Sequence, residues 1–211
     1  MITIPEFVSM VHMYVPNPSM IIEVGAYQGS ETRQLKNAFP SSRIIAIDGD
    51  PRSCKELSKL DGVETYCQVI ADMRKLVTYF LKDEHPISSI YNRGDKYTGD
   101  KCEHFVATTL NDFCKEKGIS SIDILKIDAE GATFDVLLGL EEMISDVKIM
   151  HIETEDFPYF SGARGHLEVS SYLSDMGFSP IAVVGVVIDA GRQYDSVWIR
   201  KEILRDKFRQ K

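Results

Sequence analysis

The feature that most constrains this chain is a rhythm. Short, almost wholly apolar runs are separated by longer stretches whose apolar residues recur at helical spacing. Ile21-Ile-Glu-Val24, Arg43-Ile-Ile-Ala-Ile47, Val63 to Ile70, Ile122-Asp-Ile-Leu-Lys-Ile127 and Val147 to Ile152 read as strands. Glu31 to Phe39, Arg52 to Leu60, a segment opening at Thr109 as N-cap, Phe134 to Met143, and Val169 to Met176 before Gly177 read as helices. Strands that are apolar on both faces belong to a parallel sheet covered on both sides, so the pattern predicts an α/β fold. Ile181 to Ile188 and Ser196 to Arg200 flank Ala190-Gly-Arg-Gln193 and read as a closing hairpin that puts one antiparallel strand into the sheet. Leu76 to Leu81 fits a helical face and a strand equally, and Asn92 to Cys102 reads as an exposed loop. Ligands of such sheets lie at the carboxyl ends of the strands.

The 211 residues suit one domain over 1–211, with a helical extension over 1–19 and a charged, solvated terminal helix over 201–211. A composition 44% hydrophobic and 27% charged excludes disorder. The net charge of −8 disfavours a nucleic-acid partner, which wants clustered Lys and Arg. No apolar run approaches the roughly 18 residues that cross a membrane. No basic segment precedes an apolar one at the N-terminus, so a cytoplasmic location is expected. Cys54, Cys67, Cys102 and Cys114 form no Cys-x-x-Cys pair and read as reduced thiols, some of them buried.

The chemistry gathers at strand ends. Glu23-Val-Gly25-Ala26-Tyr27-Gln-Gly29-Ser30 closes the first strand with an acid and a glycine turn. A dinucleotide fingerprint requires glycine where Tyr27 and Ser30 stand, so a pyrophosphate is disfavoured. Asp48 ends the next strand, about 20 residues on, where an acid grips ribose hydroxyls. A nucleoside ligand with a ribose and no pyrophosphate is S-adenosylmethionine (SAM).

With these residues in place the chain resembles the FkbM family of SAM-dependent methyltransferases. The likeness rests on Ala46-Ile-Asp-Gly-Asp-Pro51, Thr109-Leu-Asn-Asp-Phe113, Leu125-Lys-Ile-Asp-Ala-Glu-Gly-Ala132, Val136-Leu-Leu-Gly-Leu140, His151-Ile-Glu-Thr154 and Met176-Gly-Phe178. It covers about residues 20 to 180 and departs from the family at Tyr27 and Gly49. The resemblance implies a Rossmann-like, seven-stranded, mostly parallel sheet with helices on both faces. It implies methyl transfer to a hydroxyl oxygen, and it favours the strand reading of Leu76 to Leu81. Gly49, Ala71 and Asp72 join the residues expected to hold the cofactor.

Three acceptor-side expectations follow. Lys126 and Asp128 share one strand face, with Ile127 on the other. Asp128 is placed beside the methyl donor, where it can hold the donor's amino group, ease its charge or take the acceptor proton. His151 and Glu153 share a face at the fifth strand's tip and are candidates for the same proton. Asp128, Glu130 and Glu153 together are candidate ligands of a divalent cation. Tyr91 to Glu103 and Phe157 to His166, with Tyr159, Phe160, Arg164 and His166, are expected to cover the pocket of a small-molecule or saccharide acceptor. A nicotinamide oxidoreductase and a SAM-binding module without turnover are the competing readings.

Overall fold

The computed structural model describes residues 1–82, 87–92, 101–156, 162–188 and 191–209. In chain order the strands are β1 (Met20–Val24), β2 (Arg43–Asp48), β3 (Glu64–Cys67), β4 (Lys75–Leu81), β5 (Lys101–Ala107), β6 (Ile122–Ile127), β7 (Val147–Asp156), β8 (Phe178–Ile188) and β9 (Gly191–Arg200). The helices are α1 (Ile4–Tyr14), α2 (Ser30–Ala38), α3 (Pro51–Leu57), α4 (Leu110–Glu116), α5 (Thr133–Leu138), α6 (His166–Asp175) and α7 (Lys201–Arg209). Seven strands form one sheet in the order β3-β2-β1-β6-β7-β9-β8, and β4 and β5 form a separate antiparallel pair. β3, β2, β1, β6 and β7 run parallel, and β9 runs against both of its neighbours. The winding direction reverses between β1 and β6, the switch point where such sheets open a crevice.

Every residue of β1 and β6 is buried, as their apolar runs require. The two-residue period sorts them into two cores. Ile22, Val24, Leu125, Ile127, Met150, Ile152 and Trp198 face α4, α5 and α6, packing on Leu110, Val136 and Leu173. Ile21, Ile124, Ile149, Val197 and Ile199 face Phe7 and Val11 of α1 and Leu35 of α2. Local signals set the helix starts. Thr3 and Glu6 form a capping box for α1, Asp50 caps α3 ahead of Pro51, and the Thr109 hydroxyl accepts the Asp112 amide at 3.0 Å to cap α4 as its sequence predicts.

Several expectations change. The helix over Phe134 to Met143 stops at Leu138 and resumes as a 3₁₀ turn over Glu141–Asp146. Gly139 explains the break: its carbonyl accepts the Asn111 amide at 2.8 Å, and a β-carbon there would run into the Ala71 carbonyl. The third strand ends at Cys67, because the next residues turn to bridge Ile70 with Thr108. The expected loop over Asn92 to Cys102 gives way to a strand at Lys101, where β5 begins; its Lys-Cys-Glu-His-Phe-Val-Ala sequence is largely exposed and carries little apolar alternation. Leu76–Leu81 is extended, within β4. The reduced-thiol reading fails for Cys54 and Cys67, which form a disulfide. Register brings them together: Cys67 pairs with Asp48 at the end of β2, and Cys54 lies in the helix that starts just after that end. Cys114 is a buried free thiol, as read. Most of the Asn92–Cys102 loop, together with Tyr159, Phe160 and Ala190, lies outside the described residues.

Candidate active site

Along one face of the sheet, each central strand changes from apolar to ionisable toward the same end. β1 runs from Ile21 to Glu23, β6 from Ile124 to Lys126 and on to Asp128, and β7 from Ile149 to His151 and Glu153. Antiparallel β9 runs the other way, from Ile199 through Val197 to Asp195. Because this face continues the core under α1, Glu23, Lys126, His151, Glu153 and Asp195 are buried, and Asp128 partly so, while lining a cavity of about 730 Å³. Its acids are Glu23, Glu31, Asp48, Asp128, Glu130, Glu153 and Asp195, set against Lys126, the one lysine among the described lining residues. Segment 1–5, leading into α1, forms another part of the wall.

Lys126 is 3% exposed, with its ammonium 2.6 Å from Glu31, 3.2 Å from Glu23 and 3.6 Å from Asp128. Burial opposes its charge, yet Glu23, Asp128 and Glu31 hold it protonated well above the ordinary lysine range. Glu23 also accepts the Thr32 hydroxyl at 2.5 Å, and burial raises its pKa despite the lysine. Burial raises Asp128 as well, against the pull of Lys126. Glu153 is driven well above the carboxylate range, first by burial and then by the charges of Asp128, Glu130 and Asp195. One oxygen from each of Asp128, Glu130 and Glu153 lies within 4.8 Å of the others.

His151 is 4% exposed, and neither ring nitrogen has a hydrogen-bond partner among the described residues. Its Nε2 stands 3.5 Å from Asp195 Oδ1.

The glycine turn meets the cavity from the other side. Gly25 has φ +82°, and a β-carbon there would overlap the Asp128 carbonyl, so β1 and β6 approach this closely only through glycine. Tyr27 has φ +48°, and its amide donates to Asp48 Oδ2 at 2.7 Å, while Asp50 donates to Oδ1 at 2.8 Å. Burial outweighs those two amides and pushes the Asp48 pKa to about 7. A second, smaller slot of about 40 Å³ shares Gly25 and Asp48 with the large cavity and is walled by Val69, Ile70, Tyr79 and Ile90.

Of the sequence-derived positions, Glu23, Gly25, Ala26, Tyr27, Ser30, Asp48, Asp128, Glu130, His151 and Glu153 line the large cavity, and Gly49 lines the slot. Gly29 instead packs against Leu57 and Leu60 at the start of α2. Ala71 and Asp72 line neither space. Ala71 is buried with its amide on the Thr108 carbonyl, and Asp72 pairs with Lys75. The turn toward β4 carries both away, and Val69 and Ile70 stand at the slot in their place. His166 stacks on Tyr194 at 4.1 Å, and Arg164 pairs with Glu168, so neither faces the cavity. Glu31, Asp195 and segment 1–5 were not singled out. A lone acid carries no motif, and only the β7–β9 register, Glu153 opposite Asp195, reveals the latter.

This strand order and crevice define the methyltransferase form of the doubly wound α/β fold. The magnesium protoporphyrin IX methyltransferase ChlM of Synechocystis PCC 6803, solved with bound SAM, superposes with a TM-score of 0.54 at 10% identity, covering 93% of this chain and 77% of that one. TrmK of M. capricolum, solved with S-adenosyl-homocysteine, gives 0.52 at 11% identity, covering 92% and 67%. The family model described as the methyltransferase FkbM domain matches residues 23–180, and the chain belongs to that family. The 2-O-methyltransferase NoeI of Sinorhizobium fredii (strain NBRC 101917 / NGR234) is 24% identical over 169 residues, 70% of this chain and 67% of its own length. Methyltransferase 1 of Beauveria bassiana (strain ARSEF 2860) is 25% identical over 150 residues, and the match spans 60% of each protein.

Proposed function

We propose that this chain is a SAM-dependent O-methyltransferase acting on a hydroxyl of a small molecule or sugar. The observation that carries the reading is the acid-lined cavity joined to an apolar slot at Asp48. SAM bears a sulfonium, an ammonium and one carboxylate, a net positive charge that suits seven acids facing one lysine; a dinucleotide pyrophosphate would be repelled. Asp48, with amides on one side of each oxygen, keeps acceptor capacity for ribose hydroxyls. Val69, Ile70, Tyr79 and Ile90 offer apolar contact to a base, and Glu23, Glu31 and Asp128 offer countercharge to the ammonium and sulfonium. Bound there, the cofactor supplies a methyl carbon already activated by positive sulfur.

The chain's remaining task is to orient a hydroxyl and remove its proton. Orientation contributes several kcal/mol. His151 is the better proton acceptor because its ring nitrogens are unengaged, whereas Glu153 is held toward its protonated form by its neighbours. The name of NoeI, a 2-O-methyltransferase, supports oxygen as the acceptor atom.

A divalent cation seated on Asp128, Glu130 and Glu153 is the second way to acidify the hydroxyl, supported by the convergence of their oxygens. The test is a calorimetric titration with SAM and NADH separately, followed by turnover with hydroxylated acceptors with and without a chelator. SAM binding with methyl transfer supports the reading, and NADH binding without SAM binding sinks it. Loss of turnover in chelator, restored by magnesium, assigns the activation to the cation.

A further inference from the structure

His151 does not stand alone. Its strand neighbour across β9 is Val197, and the next same-face residue toward the cavity is Asp195. Such diagonal pairs are within reach of long side chains. Asp195 is 6% exposed, and its two oxygens face different partners. Oδ1 lies 3.5 Å from His151 Nε2, while Oδ2 accepts the Ile2 amide at 2.9 Å. Ile2 is itself buried, in the segment that walls the cavity. From the same N-terminal region the Phe7 ring of α1 packs 5.0 Å from the imidazole. The N-terminal segment therefore holds His151 twice: through a ring against its face, and through an amide on the carboxylate beside its Nε2.

We propose that Asp195 is a positioning residue that couples the seating of segment 1–5 to the orientation of His151. The inference rests on the methyltransferase reading for its consequence and on geometry alone for the coupling. A proton on Nε2, directed at Asp195, leaves the lone pair on Nδ1. When the acceptor O–H bond breaks, the proton goes to Nδ1 and the electron pair stays on oxygen. The resulting imidazolium faces the Asp195 carboxylate. With segment 1–5 unseated, Asp195 loses the amide that fixes its direction, and the cavity loses part of its wall. Turnover is thereby tied to a closed N-terminal segment. The other charged groups near His151 are Lys126 and Asp128 from β6, Glu153 on its own strand and Glu23 from β1; α1 contributes the uncharged Phe7.

The experiment uses the full chain, with Asp195→Asn and Ile2→Pro as two independent variants. Asn keeps the shape and removes the charge. Pro keeps the charge of Asp195 and removes the amide hydrogen, outside α1. The first readout is the nuclear Overhauser contact between the His151 and Phe7 rings, assigned by its loss in His151→Gln. That contact should weaken in Asp195→Asn, because the carboxylate facing Nε2 is gone. Amide exchange in segment 1–5 should accelerate in Asp195→Asn, and kcat should fall about 100-fold in that variant and about 10-fold in Ile2→Pro. SAM affinity should fall by less than about tenfold in Asp195→Asn, short of the loss in kcat, since six of the seven cavity acids remain. An unchanged ring contact with unchanged exchange overturns the coupling, whatever the activity. If the wild-type chain binds no SAM, the functional reading fails while the ring contact and the exchange still decide the coupling. If Asp195→Asn does not fold, Ile2→Pro decides: an unchanged kcat and exchange rate overturns the proposal.

Discussion

Asp48 is tied to Tyr27. The Tyr27 amide donates to Asp48 Oδ2 at 2.7 Å, joining the left-handed turn after β1 to the tip of β2. One carboxylate thus fixes the shape of the glycine turn and presents its remaining lone pairs to the cavity. The bulk of Tyr27, which departs from the family pattern, is accommodated because the link uses its backbone and the ring stays 40% exposed.

That carboxylate gives the first prediction. Its pKa is raised from 3.8 to about 7, chiefly by burial. The native state therefore binds a proton that the unfolded chain releases between those values. The stability this contributes is complete below 3.8 and lost as pH rises through about 7. Ligand binding runs the opposite way, because ribose hydroxyls donate to the ionised form. SAM affinity should rise with pH up to about 7, by as much as about tenfold per unit, and then level off. Asp48→Ala should remove measurable binding. Calorimetry across this range checks both, and a flat pH profile with retained binding in the variant would refute the ribose role.

Gly25→Ala should be severe for two separable reasons: φ is +82°, and the new methyl would overlap the Asp128 carbonyl. A left-handed alanine and a forced separation of β1 from β6 together cost about 2–4 kcal/mol. The displaced Asp128 should also weaken SAM binding. Denaturant unfolding of the variant measures the first effect, and a loss under about 1 kcal/mol would contradict the close approach.

Lys126→Met leaves Glu23 and Asp128 facing each other without a countercharge. Removing one partner of a buried ion pair costs about 3–5 kcal/mol. With the ammonium gone, both carboxyl pKa values rise further, so stability should recover in acid and be lost as pH rises, more steeply than in the parent chain. Unfolding curves in mildly acidic and mildly basic buffer would reveal it. Equal destabilisation in both would mean that Lys126 acts by packing alone.

Much of this architecture is written in the local pattern. The all-apolar runs of β1 and β6 specify buried parallel strands, and Thr109 caps α4 as its position implies. Asp48 ends β2, Asp128 follows β6, and His151 and Glu153 share one face of β7, so all four reach one cavity. What stayed hidden depends on pairing between distant segments. Cys54 meets Cys67 only through the β2–β3 register, and Asp195 meets His151 only through β7–β9. Ile2 reaches Asp195 across nearly the whole chain. Ala71 and Asp72 stand outside the cavity and the slot, because the chain turns after Cys67 and bridges Ile70 to Thr108.

Glu153 supplies the decisive comparison between the two ways of activating the acceptor. Its oxygen sits within 4.8 Å of Asp128 and Glu130, and those charges with burial hold it toward the protonated form. Glutamine matches a protonated glutamate in shape and in being uncharged, and it cannot replace the ionised form. If His151 removes the proton, Glu153→Gln should keep kcat within about tenfold, while His151→Gln should lose about 10²–10⁴. If a cation does the work, the order reverses, because an amide is a poor substitute for a charged ligand and the histidine is then dispensable. Measuring both variants at saturating SAM, with tritiated methyl transfer as the readout, separates the two, and a loss below tenfold in each would remove both residues from the reaction.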